Sequence, residues 1–591
     1  MKRQRRKEKM LFDHELAWKD PAIYQEIYNN SIAETEKFWE YHRKKLFPEN
    51  CYNASYNCID RHAEKDPNKT AIVWYGDEYC ERREISYGKL LEMTQKIASE
   101  LLRRGIRKGD SVTICMPMVP ESIAAMLACC RIGAVHNVVF SGFSATALNE
   151  RIFRSSSKVV ITITGSNRGG KFVPSLKNVL TATKDLDVDV LLVDHVDDFS
   201  IDERAIEPIT MDYNDDMFTL YTSGSTKEPK RIFHTCGGYQ LYSAMTFKYI
   251  FDAKEDDVHF CTSDIGWITG HSYITYAPLF FGLKLVIFSG TPMYPKGGRY
   301  WEIIEQEKVT ILYSAPSAIR CLASLGDEVL DNYDFSTLRV LGCVGEPMNE
   351  AAWQWYFDNI GKGRCPIMDT WWQTETGGIM LAPLCNLEQK PCFAAKPFFG
   401  IVPDIKDDEL VITKKNWPGL SSNFSRNDGK IYHTGDKAMR DADGDFRILG
   451  RIDDVVNISG HRLGTSEVES VVNALGEIEE SAAIGIPHRI KGQALCIFVT
   501  TTTPLDQEKQ ESVSQEITSR IRQDIGAIAK PDRVVFIPEL PKTRSGKIKR
   551  NILKAIGEKK EIDYRCPDLE SVINVECVKQ IEMAMHNAVK L

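Results

Sequence analysis

From about residue 112 to residue 345, short apolar runs alternate with helical stretches, and that alternation most limits what the chain can fold into. One cycle shows the pattern. Residues 112–116 read as a buried strand, followed by the breakers Pro117 and Pro120. Residues 121–132 read as a helix with Ile123, Met126, Leu127 and Cys130 on one face, Gly133 ends it, and 135–140 form the next strand. Recurrence of this unit predicts an α/β fold of sheets covered by helices. Ahead of it, residues 20–50 read as helical, with Trp39, Tyr41 and Phe47 available to clamp onto the main body.

A chain of 591 residues exceeds one hydrophobic core, so two or more domains are expected. The net charge of −8 provides no basic footprint, which argues against nucleic acid as a partner. The 16 cysteines form no CxxC pair and no zinc spacing, and Cys129-Cys130 read as buried thiols, which suits a reducing compartment. No apolar run is long enough to span a bilayer. The start, MKRQRRKEKM, is basic but lacks the apolar stretch of a signal peptide. It reads first as a tail and second as a nuclear-import signal, so a cytoplasmic protein is expected, with the nucleus as the alternative.

Downstream, residues 437–440 and 446–449 read as two short strands around Asp443-Gly444, a hairpin-turn signal. Asp441, Asp443 and Asp445 alternate like the start of a calcium loop. Such a loop needs Gly at its sixth position and Glu at its twelfth, and these are Phe446 and Ile452, so calcium is not expected.

Several motifs carry chemistry on their own terms. Arg168-Gly169-Gly170-Lys171 sets two cations around two glycines, where backbone can approach a phosphate closely. The stretch Thr222-Ser223-Gly224-Ser225-Thr226 ahead of Lys230 could ring an anion with backbone amides, although it is not a Walker A loop. Trp267–His271 and Val344–Pro347 read as strand ends, where ligands dock in α/β sheets. Adjacent Trp371 and Trp372, in the polar run Asp369 to Gly377, are costly to expose.

The runs TGD, GR-x-DD, SGHRLGT, DTWWQTETG and PKTRSGK together resemble the adenylate-forming enzymes, and within them the AMP-forming acetyl-CoA synthetases. The resemblance extends from about residue 24 to 556. It implies a large N-terminal domain, 1–452, and a small mobile α+β domain, 453–591. It also implies a ligase that joins acetate to CoA with ATP and Mg2+ through an acetyl-adenylate, the small domain rotating between half-reactions. By resemblance, Thr222 to Thr226 and Lys230 surround the ATP phosphates, Gly345, Glu346 and Pro347 cover the adenine, and Asp369, Thr370, Trp371, Trp372, Gln373 and Thr374 bind the nucleotide. Glu375 holds Mg2+. Ile268, Thr269, Val344 and Trp372 form the acyl pocket, with Trp372 leaving room only for a very short acid.

In the same way Asp436, Arg451 and Arg462 hold nucleotide oxygens, Asp453 is the hinge, and Lys547 is the catalytic cation. Arg168, Gly169, Gly170, Lys171, Thr269, Ser459, Gly460 and Arg522 contact CoA. Relatives are acetylated at the matching lysine, which would make an acetyltransferase and a deacetylase partners at Lys547. The sequence departs from the pattern at Lys227, Glu228 and Arg231, where glycines and a basic residue are usual, at Met293, where Asn is usual, and at Leu475, where His is usual. The alternatives are a propionyl-CoA synthetase, and a nucleotide-binding protein with impaired turnover. In the small domain, Ser466 and Glu469 read as a capping box, and Val513, Ile517, Ile521 and Ile525 stripe a helix.

Overall fold

The computed structural model describes residues 11–143, 145–222, 230–424, 426, 428–452, 455–458, 461–488, 492–525, 529–543, 546–559, 572 and 574–587. The chain divides into two compact units: Met1–Asp404 with Val411–Tyr432 and Asp441–Phe446, and Ile405–Leu410 with His433–Arg440 and Arg447–Leu591.

The large unit is built on two sheets. In the first, strands run in the order Ile367–Asp369, Val340–Cys343, Ile311–Ser314, Val258–Cys261, Lys284–Phe288, Thr70–Tyr75 and Arg82–Ser86, parallel except for the last pair. In the second, Lys230–Thr235, Asp216–Thr222, Val135–Val138, Ser111–Ile114, Val159–Thr162 and Asp189–Leu192 follow in order, and only the first pair is antiparallel. Most of these strands are apolar without alternation because helices cover both faces. The helix expected at 121–132 runs Pro120–Arg131, and every one of its residues is buried rather than one face alone. Ala124, Ala125, Ala128 and Cys129 explain this, because small side chains let neighbours approach the second face. At its end the fully buried Arg131 guanidinium meets both Asp60 oxygens at 2.9 Å.

The helices Pro21–Ala33 and Thr35–Leu46 clamp onto this unit. Asp20 caps the first by accepting from the Ala22 and Ile23 amides. Trp39 and Phe47 are buried as expected.

In the small unit, His461–Gly464, Val455–Ile458, Gly492–Thr501 and Ile478–His488 form an antiparallel sheet, and Arg533–Phe536 adds in parallel against Gly492–Thr501. Helices Thr465–Val472 and Gln507–Asp524 bury Val468, Val472, Val513, Ile517 and Ile521 on one face of it. Helices Arg550–Gly557 and Glu576–Asn587 cover the other. The expected capping box does not form. Gly464 is the cap residue and no side chain caps the helix. Ser466 Oγ instead donates to the Leu449 carbonyl, and the Glu469 carboxylate accepts from the Ala483 amide at 2.7 Å and from Arg550 Nη2 at 2.6 and 2.7 Å.

Candidate active site

Strands Ile311–Ser314, Val340–Cys343 and Ile367–Asp369 lie side by side, with Ser314 opposite Cys343 and Cys343 opposite Asp369. The register brings the Val344–Pro347 and Thr370–Thr374 stretches out together at the carboxyl ends, where ligands gather in such sheets. Gly345 has φ +98° and a Cβ there would meet open space, so backbone conformation rather than crowding calls for glycine. Glu346 accepts from the Ser317 amide at 2.7 Å and from Arg320 at 2.9 Å, which fixes the turn next to Gly345.

Trp371 is buried, and its amide donates to Leu381 O at 2.9 Å. Trp372 is half-buried, with its ring edge-on to Tyr273 at 5.0 Å and Nε1 3.3 Å from the Tyr313 hydroxyl. Tyr313 OH lies 2.7 Å from Thr370 Oγ1, which is 2.8 Å from the Cys343 carbonyl. Each hydroxyl has one proton, so these bonds have one consistent direction: Trp372 N–H to Tyr313, Tyr313 O–H to Thr370, Thr370 O–H to the carbonyl. Gly342 makes room for this chain, since a Cβ there would stand 2.7 Å from the Tyr313 ring.

Gln373 accepts from the Tyr432 hydroxyl at 2.7 Å. The Thr374 carbonyl meets His234 Nε2 at 2.8 Å, and burial pushes that imidazole down to about 4, so it is neutral. Glu375 is half-exposed in the short turn Thr374–Thr376, and its carbonyl accepts from the Ser421 amide.

One expectation is corrected here. Residues 267–271 do not end a strand: the strand stops at Cys261, and Ile268–Gly270 open a helical segment that continues through Tyr276. Gly270 allows it, because a Cβ would stand 2.3 Å from Asp264 O. Ile268 and Thr269 are buried, and Ser272 Oγ donates to Gly377 O at 3.1 Å, joining this helix to the tryptophan stretch. Val344 is buried one residue beyond the Cys343 carbonyl that ends the hydrogen-bond chain.

Thr222 and Lys230 are cross-strand partners, and Ser223, Gly224, Ser225, Thr226, Lys227 and Glu228 lie outside the described residues. Lys230 is exposed with its ammonium 4.8 Å from the Phe424 ring centre, and Arg231 stacks over Phe233 at 4.5 Å. Arg168 to Lys171 form a hairpin turn with φ of +61° at Gly169 and +73° at Gly170. Both glycine amides donate to the buried Asp77 carboxylate, at 2.8 and 2.7 Å. The turn's own amides are thus taken, Lys171 is exposed, and half-exposed Arg168 lies 3.7 Å from the buried Asp264 carboxylate.

In the small unit, Lys547 is exposed on a turn closed by Thr543, whose amide donates to Lys547 O at 2.8 Å and whose Oγ1 accepts the Lys547 amide. Arg522 is exposed on its helix and, with Gln515, Thr518, Ser519 and Lys530, lines a cleft of about 360 Å³. Asp436 is buried, its amide bonded to Thr434 Oγ1. Arg451 and Arg462 lie in strands, while Asp453, Ser459 and Gly460 lie outside the described residues.

The family signature "AMP-binding enzyme" matches residues 59–440, and "AMP-binding enzyme C-terminal domain" matches 467–547. An acetyl-coenzyme A synthetase of Methylobacterium radiotolerans is 43% identical over 91% of this chain and 93% of its own length. One of Rhizobium rhizogenes is 43% identical over 91% and 92%. The chain belongs to the AMP-binding enzymes. The fold agrees: an acetoacetyl-CoA synthetase from Streptomyces lividans superposes with a TM-score of 0.83 at 20% identity, covering 95% of this chain and 94% of that one.

As an AMP-binding enzyme, the chain carries residues around its candidate site that sequence reasoning missed. Tyr313, Tyr273, His234 and Asp77 each hold a predicted residue in place. A polar aromatic at a strand's carboxyl end was the available signal for Tyr313. Asp77, 92 residues from the glycines it holds, gave none. No helix among the described residues is long and apolar enough to cross a membrane.

Proposed function

We propose that this chain joins acetate to CoA, consuming ATP and releasing AMP and pyrophosphate through an acetyl-adenylate. The observation that carries the reading is Trp372, a half-buried indole fastened by Tyr273 and Tyr313 at the sheet end of an AMP-binding enzyme. With Val344, Ile268 and Thr269 read as the other walls of the pocket, a fastened indole favours the shortest acid, although one methylene discriminates by only about 1–3 kcal/mol. The names of the 43%-identical relatives support the same substrate.

In the first half-reaction the acetate carboxylate attacks the α-phosphorus of ATP and pyrophosphate leaves. Charge builds on the α-phosphoryl oxygens, and we assign its neutralisation to Lys547, so that positioning and electrostatics carry the step. Thr222 to Thr226 and Lys230 take the outer phosphates. Gly345 to Pro347 take the adenine, Asp369 to Thr374 the rest of the nucleotide, and Asp436, Arg451 and Arg462 the sugar and phosphate oxygens. Among the described residues, no three metal-binding side chains cluster. A single half-exposed carboxylate, Glu375, fits Mg2+ well, because this ion is usually held by one or two carboxylates together with substrate phosphates. When bound it would offset phosphate charge.

In the second half-reaction Lys547 withdraws, with the domain 453–591 turning about Asp453, and the CoA thiol attacks the acyl carbonyl as AMP leaves. Arg168, Lys171, Arg522, Ser459 and Gly460 serve CoA, with Gly169 and Gly170 shaping the turn. Acetylation of Lys547 would cancel its charge and stop the first step. The test is AMP release with acetate, ATP, Mg2+ and CoA, repeated with propionate. Acetate should give the higher kcat/KM. A preference for propionate would overturn the acid assignment, and no AMP with either would overturn the reaction.

A further inference from the structure

We infer that Tyr313 is a specificity-determining residue that acts through Trp372. This rests on the reading of Trp372 as the wall of the acyl pocket. Tyr313 is fully buried near the end of a central strand, and its hydroxyl is the group that meets the indole. That hydroxyl is the middle of a chain with one consistent proton order, from Trp372 Nε1 at 3.3 Å, through Thr370 Oγ1 at 2.7 Å, to Cys343 O at 2.8 Å.

Three observations make the indole's position depend on it. The Tyr313 ring cannot shift, because it packs edge-on against Phe251 at 4.9 Å and Tyr273 at 5.8 Å and lies over Gly342. Tyr273, the indole's other neighbour, is itself fixed, its hydroxyl 2.8 Å from both Thr246 Oγ1 and the Ile379 amide. An edge-to-face ring contact sets distance but leaves the indole free to slide, whereas a hydrogen bond to its single N–H fixes the direction in which Nε1 points. Tyr313 therefore chooses one rotamer of Trp372, and with it the depth of the pocket. The same chain ends on the carbonyl next to Val344, so two walls of the pocket are tied by one line of bonds.

The test uses Tyr313→Phe, which keeps the ring and removes the one oxygen. We expect the propionate-to-acetate ratio of kcat/KM to rise about tenfold. Trp372→Gly provides the reference for an opened pocket. In that background Tyr313→Phe should change the ratio no further, since nothing is left to orient. A ratio unmoved by Tyr313→Phe while Trp372→Gly raises it overturns the inference and leaves the pocket reading standing. An equal effect of Tyr313→Phe in both backgrounds overturns it too, because the tyrosine would then act without the indole. If acetate-dependent exchange is intact but Trp372→Gly leaves the acid profile unchanged, the pocket reading falls and takes this inference with it.

Discussion

In the large unit, Trp372 hangs on buried tyrosines and a chain of hydrogen bonds that ends in a strand, whereas in the small unit Lys547 stands exposed on a turn closed by one threonine. Arg522 and Lys530, the small unit's other cations of interest, are exposed as well. The contrast matches the two tasks we propose. Selecting a small acid needs walls that hold still, since a displacement of about 1 Å can cost a hundredfold. Supplying a charge for one step and removing it for the next needs a long side chain on a light support. The same division appears in the histidines. His42, His62, His136, His234, His259 and His271 all belong to the large unit, and burial pushes each below its usual value, to about 3 or 4 where the shift is moderate. In the small unit, His433 and His586 are exposed and His488 is half-buried.

Acid therefore separates the units most strongly. A histidine that is neutral when folded and takes a proton near 6.5 when unfolded contributes stability that is intact above pH 6.5. That stability is lost as pH falls from 6.5 toward 4, at about 1.4 kcal/mol per pH unit for each such group. With six of them, the large unit should unfold well before pH 4. All ten tryptophans lie in that unit, so their fluorescence reports it alone. Urea midpoints by fluorescence should drop steeply between pH 6.5 and 4, while the part of the circular-dichroism signal that remains changes little. Midpoints that do not move over this range would mean the imidazoles gain partners on protonation.

The next effect is chemical and belongs to the exposed side of the comparison. Lys547→Ala should cut acetate-dependent ATP–pyrophosphate exchange about a thousandfold. Thioester formation from supplied acetyl-AMP should survive, because that step is assigned to the chain after the lysine has withdrawn. Exchange at the wild-type rate would remove Lys547 from the first step. Equal loss of both steps would make its role structural.

A third experiment asks whether the small unit can be weakened alone. Arg550 and Glu469 form a nearly buried pair, with nitrogen–oxygen distances of 2.6 and 2.7 Å, and Glu469 also holds the Ala483 amide. Arg550→Ala strands that carboxylate and should cost about 3 kcal/mol. The loss should appear in circular dichroism and leave the fluorescence midpoint where it was. A fluorescence midpoint that falls equally would show the two units unfolding as one.

How much of this was legible in the sequence follows the same line between local and distant causes. The strand and helix alternation is a local pattern, and the elements at 111–138 fell within two residues of their expected ends. The hairpin strands proved longer, Tyr432–Arg440 and Phe446–Arg451, because pairing extends past the residues with strong strand preference. Ile268–Gly270 misled because a short apolar run does not distinguish strand from helix. Ser466 and Glu469 had the spacing of a capping box, but Arg550, 81 residues away from Glu469, competes for its carboxylate and wins. Tyr313 and Asp77 act across the fold, and no window of sequence contains both ends of their bonds.

The smallest expected effect tests how the large unit treats a loop the sequence marked as calcium-like. Lys390 places its ammonium 2.5, 2.7 and 2.9 Å from Asp441, Asp443 and Asp445, with Lys396 2.5 Å from Asp445. The three carboxylates surround a cation the chain provides itself, which is a physical reason, beyond the missing glycine and glutamate, for the loop to ignore calcium. Asp441 and Asp443 are open to screening solvent and the buried Asp445 keeps Lys396, so Lys390→Met should lower the fluorescence-detected melting temperature only slightly. Unlike the wild type, the variant should regain that loss in millimolar Ca2+, since three like charges are left facing one another. A variant that melts like the wild type, or a wild type that responds equally to Ca2+, would show that the ammonium does not fill the role of the ion.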